Sequence, residues 1–378
     1  MEIPVNYSGT IDSQKLVGYQ TELEQLTDSF LASKNIILTA PRKCGKASLL
    51  ERAASVAMDK DESIRICRID FSKAKDMPSF HSLVIQEVLN SVASSWNEAA
   101  DLLKVHFTGL NLNLSMGTGD ITEMKVTVDP RDVESSSSLF WGFPARIAAE
   151  KGVRFVIIAD NFGALADFTH RTILLTELFD NYNADSAVSY CLTGSRSALM
   201  REWFSSEAAK KAGFGHIISL AGVRRDEMAS FIKSEFARTS KYIDDDACGK
   251  LLDLAGSNPY YIQQISQLAW LRTYVVCTCD IIAEAHASLL DQLDMHFKLL
   301  TETLTQQQLC YIKALICGET IVSTAEILYR YGITSATSAS RSKSALLQRD
   351  ITDIISGRAV LLQDPLYAQW LSERYFCL

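Results

Sequence analysis

Asn35-Ile36-Ile37-Leu38-Thr39-Ala40-Pro41-Arg42-Lys43-Cys44-Gly45-Lys46-Ala47-Ser48-Leu49-Leu50 decides the fold. An apolar strand runs into a tight loop, and Gly45-Lys46 opens a helical pattern; this is the layout of a phosphate-binding P-loop. The chemistry asks for that layout. Backbone N–H groups at a helix N-terminus face phosphate oxygens, and a lysine ammonium reaches the outer ones. Two positions depart from the pattern G-x-x-x-x-G-K-[ST]. Ala40 replaces the leading glycine, a mild change, whereas Ala47 replaces the hydroxyl that would hold Mg²⁺. Ser48 follows at once, but a helix turns about 100° per residue, so its hydroxyl is a poor replacement. The plain alternative is an ordinary strand–turn–helix with a surface lysine.

A second stretch, Val153-Arg154-Phe155-Val156-Ile157-Ile158-Ala159-Asp160-Asn161-Phe162, is a continuous apolar run ending in an acid. It reads as a buried parallel strand with Asp160 at its C-terminal edge, where ligands of open α/β sheets sit. An aspartate there would hold Mg²⁺ directly or through water. Its alternative role is a helix N-cap after a strand. Asn161 follows where ATPases of this type carry a water-polarising glutamate, and an amide cannot accept a proton.

These motifs give the chain a resemblance. Leu16-Val17-Gly18-Tyr19-Gln20-Thr21-Glu22-Leu23 resembles the "F-x-G-R-x-x-E-L" opening of AAA+/STAND-type ATPases, in particular the archaeal-ATPase-like family. Residues 40–46 are similar to that family's "A-P-R-R-x-G-K-T". Asp160-Asn161-Phe162 stands at its "D-E-F", Leu192-Thr193-Gly194-Ser195 at its "L-T-G-S" sensor strand, and Gly256-Ser257-Asn258-Pro259-Tyr260-Tyr261 at its "G-x-P-Y-Y" lid motif near the adenine. The resemblance implies an ATP or ADP site formed by Val17, Gly18, residues 40–48, Pro259 and Tyr260. It implies catalytic positions at Asp160, Asn161 and Ser195, with Mg²⁺ weakly held through Asp160. The departures line up: Tyr19 stands for Arg, Ala47 for Thr and Asn161 for Glu. Each falls on the γ-phosphate, the metal or the water, and losing the metal ligand or the carboxylate costs on the order of a hundredfold or more in rate. Binding through Lys46 and the loop amides is expected to survive; efficient hydrolysis is not.

With 378 residues, 47% of them hydrophobic and 22% charged, the chain can bury a large core and divide into two or three domains. A net charge of −8 argues against a broad surface that coats nucleic acid. Nine cysteines and no signal-like N-terminus suggest a reduced, cytoplasmic setting. Cys277-x-Cys279 lacks a partner pair at zinc spacing. Cys44, at a helix N-terminus beside Lys43 and Lys46, is expected to have a lowered pKa and to react with alkylators. No apolar run approaches about 18 residues, so no membrane span is expected.

The expected architecture is α/β: a P-loop parallel sheet over 1–220, a helical lid over 221–299 and a winged helix-turn-helix over 300–378. A helix over 14–34 leads into the P-loop strand, a second strand covers 63–71, and one long helix runs from Met77 to about Leu103. An alternating pattern at 104–133, with Gly117-Thr118-Gly119-Asp120 at its turn, reads as an inserted β-hairpin. It either folds back onto the sheet edge or forms an arm that pairs with a neighbour. Ser135–Ser138 breaks the chain before a helix over 140–151. The sensor strand covers 187–193, residues 217–220 close the sheet, and the chain is wholly helical from there. Asp244-Asp245-Asp246 suits a helix N-terminus.

Helices at 305–317, 323–331 and 335–349, then a hairpin through Ser356-Gly357, give the winged pattern. The last 78 residues carry seven basic and seven acidic side chains. The third helix holds Arg341, Lys343 and Arg349 without an acid, a composition able to contact phosphates. An interaction or autoinhibitory role serves the same module equally well. Three functions follow: a nucleotide-dependent switch or scaffold with a protein partner or self-association, a working ATPase, or a DNA-binding protein.

Overall fold

The computed structural model describes residues 17–115, 124–181, 187–220, 222–354 and 359–378. Helix α1 (Gln20–Leu31) leads into β1 (Ile36–Thr39), all four of whose residues are buried. Helix α2 (Lys46–Lys60) starts after Gly45 in the left-handed conformation, φ 78°, a geometry that favours glycine. Strand β2 (Ile64–Asp70) follows. The single helix expected over 77–103 is two, α3 (Met77–Val92) and α4 (Trp96–His106). Ser95 makes the restart, its hydroxyl accepting from the Glu98 N–H as an N-cap.

Strands β3 (Leu112–Ser115) and β4 (Lys125–Val128) pair antiparallel, Leu112 opposite Val128. This is the expected inserted hairpin; its turn at 116–123 lies outside the described residues. The pair forms its own sheet and does not extend the main sheet. Val126 and Val128 bury instead against α3, so the expectation of a strand pair on the sheet edge is corrected. Helix α5 (Pro130–Lys151) absorbs the serine run as a kink, with Ser136 at φ −139°. It therefore begins earlier than expected.

Next come β5 (Arg154–Asp160), α6 (Arg171–Asn181), β6 (Val188–Gly194), α7 (Ser197–Phe204), α8 (Glu207–Lys211) and β7 (Ile217–Ser219). The main sheet has the order β2-β5-β6-β1-β7, every pair parallel. Strand β6 thus separates the P-loop strand from the Asp160 strand. The register sets Thr39 beside Gly194 and Asp70 beside Asp160, at the C-terminal edge. Side chains alternate between two apolar cores: Ile36, Leu38, Val156 and Ile158 on one face, Ile37, Phe155, Ile157 and Leu192 on the other.

Beyond the sheet lie α9 (Arg225–Arg238), β8 (Tyr242–Ile243), α10 (Asp245–Ala255), α11 (Pro259–Arg272), β9 (Val276–Cys277) and α12 (Cys279–Glu302). The stretch is not wholly helical: β8 pairs in parallel with β9, Ile243 beside Cys277. Two-residue strands are too short to carry a periodic signal. Asp244 caps α10, as its acidic start suggested.

The chain ends with α13 (Gln306–Ile316), α14 (Ala325–Tyr331), α15 (Ala336–Gln348), the antiparallel pair β10 (Thr352–Ile354) and β11 (Val360–Leu362), and α16 (Pro365–Trp370). The turn at 355–358 lies outside the described residues. The apolar core behind the P-loop is continuous from Leu38 and Ile158 through Leu251 and Ile265 to Leu346 and Trp370. The C-terminal helices are therefore packed onto the same body as the loop. Among the described residues no helix is long and apolar enough to cross a membrane.

Candidate functional site

The loop between β1 and α2 floors a cavity of about 660 Å³. Residues 40–48 line it, together with Asn161, Ser195, Pro259, Tyr260 and Gln263. Lys43 is left-handed without being glycine, φ 64°, a strained geometry that clusters at ligand sites. Tyr19 lies buried beneath the turn, close to Gly45. The tyrosine thus occupies space under the loop, where the resemblance implied an arginine.

Lys46, the first residue of α2, donates to the Thr193 hydroxyl at 2.8 Å and sits 3.8 Å from Asp160 Oδ1. Burial holds its ammonium below the ordinary lysine pKa, offset in part by Asp160. Asp160 is bonded on both oxygens: Oδ1 accepts from Thr193 Oγ1 at 2.7 Å, and Oδ2 accepts from Arg68 Nε at 2.7 Å. Asn161, left-handed at φ 59°, turns its amide to Asp70 Oδ1 at 3.0 Å. Asp70 also accepts from the Ser72 N–H and hydroxyl. The acids at this sheet edge are thus met by cations and by N–H or O–H donors.

A divalent cation fits this donor set poorly. Ala47 offers no oxygen, Asn161 is turned to Asp70, and Asp160 already holds Arg68 and Thr193. Among the described residues no group of three or more His, Cys, Asp or Glu could hold a metal. Cys44 also differs from expectation. Its thiol is buried and pushed up to about 12 by desolvation, so the helix N-terminus and neighbouring lysines do not make it a reactive thiolate.

The loop is tied to the rest of the chain at three points. Asn258 caps α11 through Oδ1, and its Nδ2 donates to the Arg42 carbonyl at 3.4 Å. The Lys43 ammonium lies 4.6 Å from the Tyr260 ring centroid, within cation–π range. Arg42 Nε donates to Asp350 Oδ2 at 2.8 Å; the arginine side chain is 68% exposed, the aspartate side chain 0%. Asp350 also accepts from Gln363 Nε2 at 2.7 Å. Nearby, Arg201 bridges to Asp353 and the Ile354 carbonyl, and Tyr261 donates to Asp364 at 2.6 Å.

The sequence candidates divide accordingly. The loop, Asn161, Ser195, Pro259 and Tyr260 share one cavity, with Asp160 bonded to Lys46's partner Thr193 at its edge. Val17 and Gly18 are not brought there; they line a separate hollow with Asp226, Glu227 and Ser230. Arg341 on α15 is exposed and Lys343 half-buried, whereas Arg349, just after the helix, is tied to the Thr303 carbonyl and hydroxyl. Sequence reasoning missed Arg68, Gln263, Asp350 and the role of Thr193. Gln263 lies one turn beyond Pro259-Tyr260 on α11, a spacing that marks one helix face.

No protein-family model matches the sequence, and no curated protein matches it. Solved structures do match. The Walker-type ATPase Paby2304 of Pyrococcus abyssi aligns over 95% of this chain and 96% of its own, with a TM-score of 0.62 and 14% identity. The ORC2 protein of Aeropyrum pernix in ADPNP–ADP complexes aligns over 97% and 95%, with a TM-score of 0.57 and 10% identity. Its ADP form gives 0.52 over 97% and 95%, at 11% identity. The chain shares the fold of these P. abyssi and A. pernix proteins. At such identities the likeness is one of fold.

Proposed function

We propose that the chain binds ATP or ADP over residues 40–48 and acts as a nucleotide-dependent regulatory switch or scaffold with weak or absent hydrolysis. The observation that carries this reading is Lys46 at the start of α2, lining a cavity of about 660 Å³ with the rest of the loop, a volume within the usual range of small-molecule sites. In support, the A. pernix ORC2 structures of the same fold hold ADP and ADPNP. Pro259 and Tyr260 would lie on the base side, and loop amides with Lys46 on the phosphate side. Slow turnover follows from chemistry: Ala47 has no oxygen for a metal, and Asn161 has no base for water.

The switch reading rests on the ties of the loop. A phosphate entering beside Arg42 and Lys43 competes with Asp350 and Tyr260 for their charge. Occupancy thereby biases the packing of the lid helices over 221–299 and of residues 300–378, which we read as a winged-helix module for a protein partner or a second copy. DNA contact is disfavoured because Arg349 is engaged with Thr303, leaving Arg341 and Lys343 as the basic pair of α15. All nine cysteines are free, which suits a reducing cytoplasm.

The test is mass analysis of the full chain purified without added nucleotide, native and then denatured, with any released ligand identified. Retained ADP or ATP, or binding of either in calorimetry, supports the reading; neither retention nor binding overturns it. A steady-state ATPase rate on the order of 1 s⁻¹ or more, within the ordinary enzyme range, would replace the switch by a working ATPase.

A further inference from the structure

The donor set around Asp160 says more than that a metal fits poorly. In the P-loop ATPase arrangement, this carboxylate and the hydroxyl after the P-loop lysine face a divalent cation that neutralises the phosphates. Here a guanidinium stands against that carboxylate. Arg68 comes from β2, the neighbour of β5, two residues before Asp70 and on the same strand face. Its Nε donates to Asp160 Oδ2 at 2.7 Å, the side chain is 39% exposed, and among the described residues its Nη groups make no hydrogen bond. Lys46 and Thr193 meet the other carboxylate oxygen. The Asp160 carboxylate is thus paired with two cations of the chain's own, and the Asn161 amide is held by Asp70 and presents no carboxylate.

We infer that Arg68 takes the place of the divalent cation, so that this site binds a nucleoside di- or triphosphate without a metal. The inference rests on the nucleotide reading above and goes further, naming the metal-free nucleotide as the ligand species. A guanidinium supplies a permanent positive charge and several N–H donors matched to phosphate oxygens. It asks nothing of the hydroxyl missing at Ala47. Free Nη donors and partial exposure leave Arg68 able to turn toward a phosphate while Lys46 and Thr193 keep Asp160 satisfied.

The experiment is calorimetric titration of the full chain with ADP and with ATP, once in EDTA and once in excess Mg²⁺. Wild-type affinity is expected to agree within about threefold between the two conditions. Arg68→Ala is expected to lose about tenfold or more in EDTA, each tenfold being 1.4 kcal/mol. Arg68→Lys, which keeps the charge, is expected to retain most of it; thermal melts of both variants check that the exposed substitution leaves the fold intact. Binding by wild type only in Mg²⁺ overturns this inference and leaves the nucleotide reading standing. Unchanged EDTA affinity in Arg68→Ala removes Arg68 from the role and overturns it too. Absence of binding in both conditions refutes the nucleotide reading itself, and this inference with it.

Discussion

Lys46→Ala separates a phosphate site from an ordinary strand–turn–helix. The Lys46 ammonium has 17% side-chain exposure and lies 3.8 Å from Asp160 Oδ1 and 2.8 Å from Thr193 Oγ1. A charge-assisted hydrogen bond to phosphate contributes about 1.5–3 kcal/mol. Unit charges about 4 Å apart at an effective dielectric near 20 interact by about 4 kcal/mol, an upper bound on the same contact. A loss of about 2–4 kcal/mol raises the Kd for ADP or ATP roughly 30- to 1,000-fold. The fold should barely notice. Asp160 keeps Thr193 and Arg68, both at 2.7 Å, and the ammonium that is removed was itself desolvated, as its lowered pKa records. For a chain of this size a change of about 1 kcal/mol moves Tm by about 2–4 °C at most.

The assay is paired calorimetry and thermal melting of wild type, Lys46→Ala and Lys46→Met, the last keeping the aliphatic stem. Both variants should lose affinity together while melting within a few degrees of wild type. Because Lys46 titrates below the ordinary lysine range, wild-type affinity should also fall as pH rises toward that range, and Lys46→Met should lack that fall. Unchanged affinity in both variants refutes the site. A collapse of Tm with affinity intact would make Lys46 a structural counter-ion of Asp160 and nothing more.

Three further outcomes are expected. Wild-type hydrolysis should be well below 1 s⁻¹, and Ala47→Thr with Asn161→Glu should raise it more than either change alone, since such groups act as a unit; a single change doing as much as both would refute the pairing. Asp350→Asn keeps a side chain that tolerates φ 61° and still accepts from Gln363 but lacks the charge facing Arg42; hydrogen exchange of residues 349–363 should respond to nucleotide in wild type and not in the variant, an equal response refuting the tie. His81 is buried, has an unpartnered Nε2, and is pushed down to about 3 by desolvation; its folded pKa lies below the unfolded value near 6.5, so its contribution is present above that pH and is lost as pH falls, about 2 kcal/mol by pH 5. Urea unfolding at about pH 7 and about pH 5 should show a steeper acid loss for wild type than for His81→Phe, and equal losses would refute it.

The fold was legible where its signals are local. The P-loop is a contiguous string with a fixed φ requirement at Gly45, and the P-loop and Asp160 strands are apolar runs ending in turns. What stayed hidden depends on pairing. Arg68 and Asp160 are 92 positions apart and meet only because β2 lies beside β5. The alternation of β2 would set Arg68 and Asp70 on one face, but nothing in the string says which strand adjoins it. Asp350 is 308 positions from Arg42 and belongs to a turn after α15, where a lone acid has no pattern. Cys44 shows the opposite error. Lys43 precedes it and Lys46 lies two residues on, yet its environment is Tyr19 and the core, and desolvation outweighs the nearby charge.

Ala47, Asn161 and Arg68 are best weighed as a set. Without Arg68, Asp160 Oδ2 would have no partner among the described residues, leaving Thr193 and Lys46 on Oδ1 alone, and a largely buried carboxylate left short of partners costs several kcal/mol. Arg68 relieves that by donating to Oδ2. Asn161 completes the change, because a glutamate there would add a negative charge beside Asp70 and Asp160, where no metal fits to offset it. An ATPase site gains its rate by being unfinished until metal and substrate complete it. Here the carboxylate is already paired by the chain's own Arg68, Lys46 and Thr193. Such pairing suits the switch proposed above, whose two states must both be stable and whose ligand need supply only the difference between them.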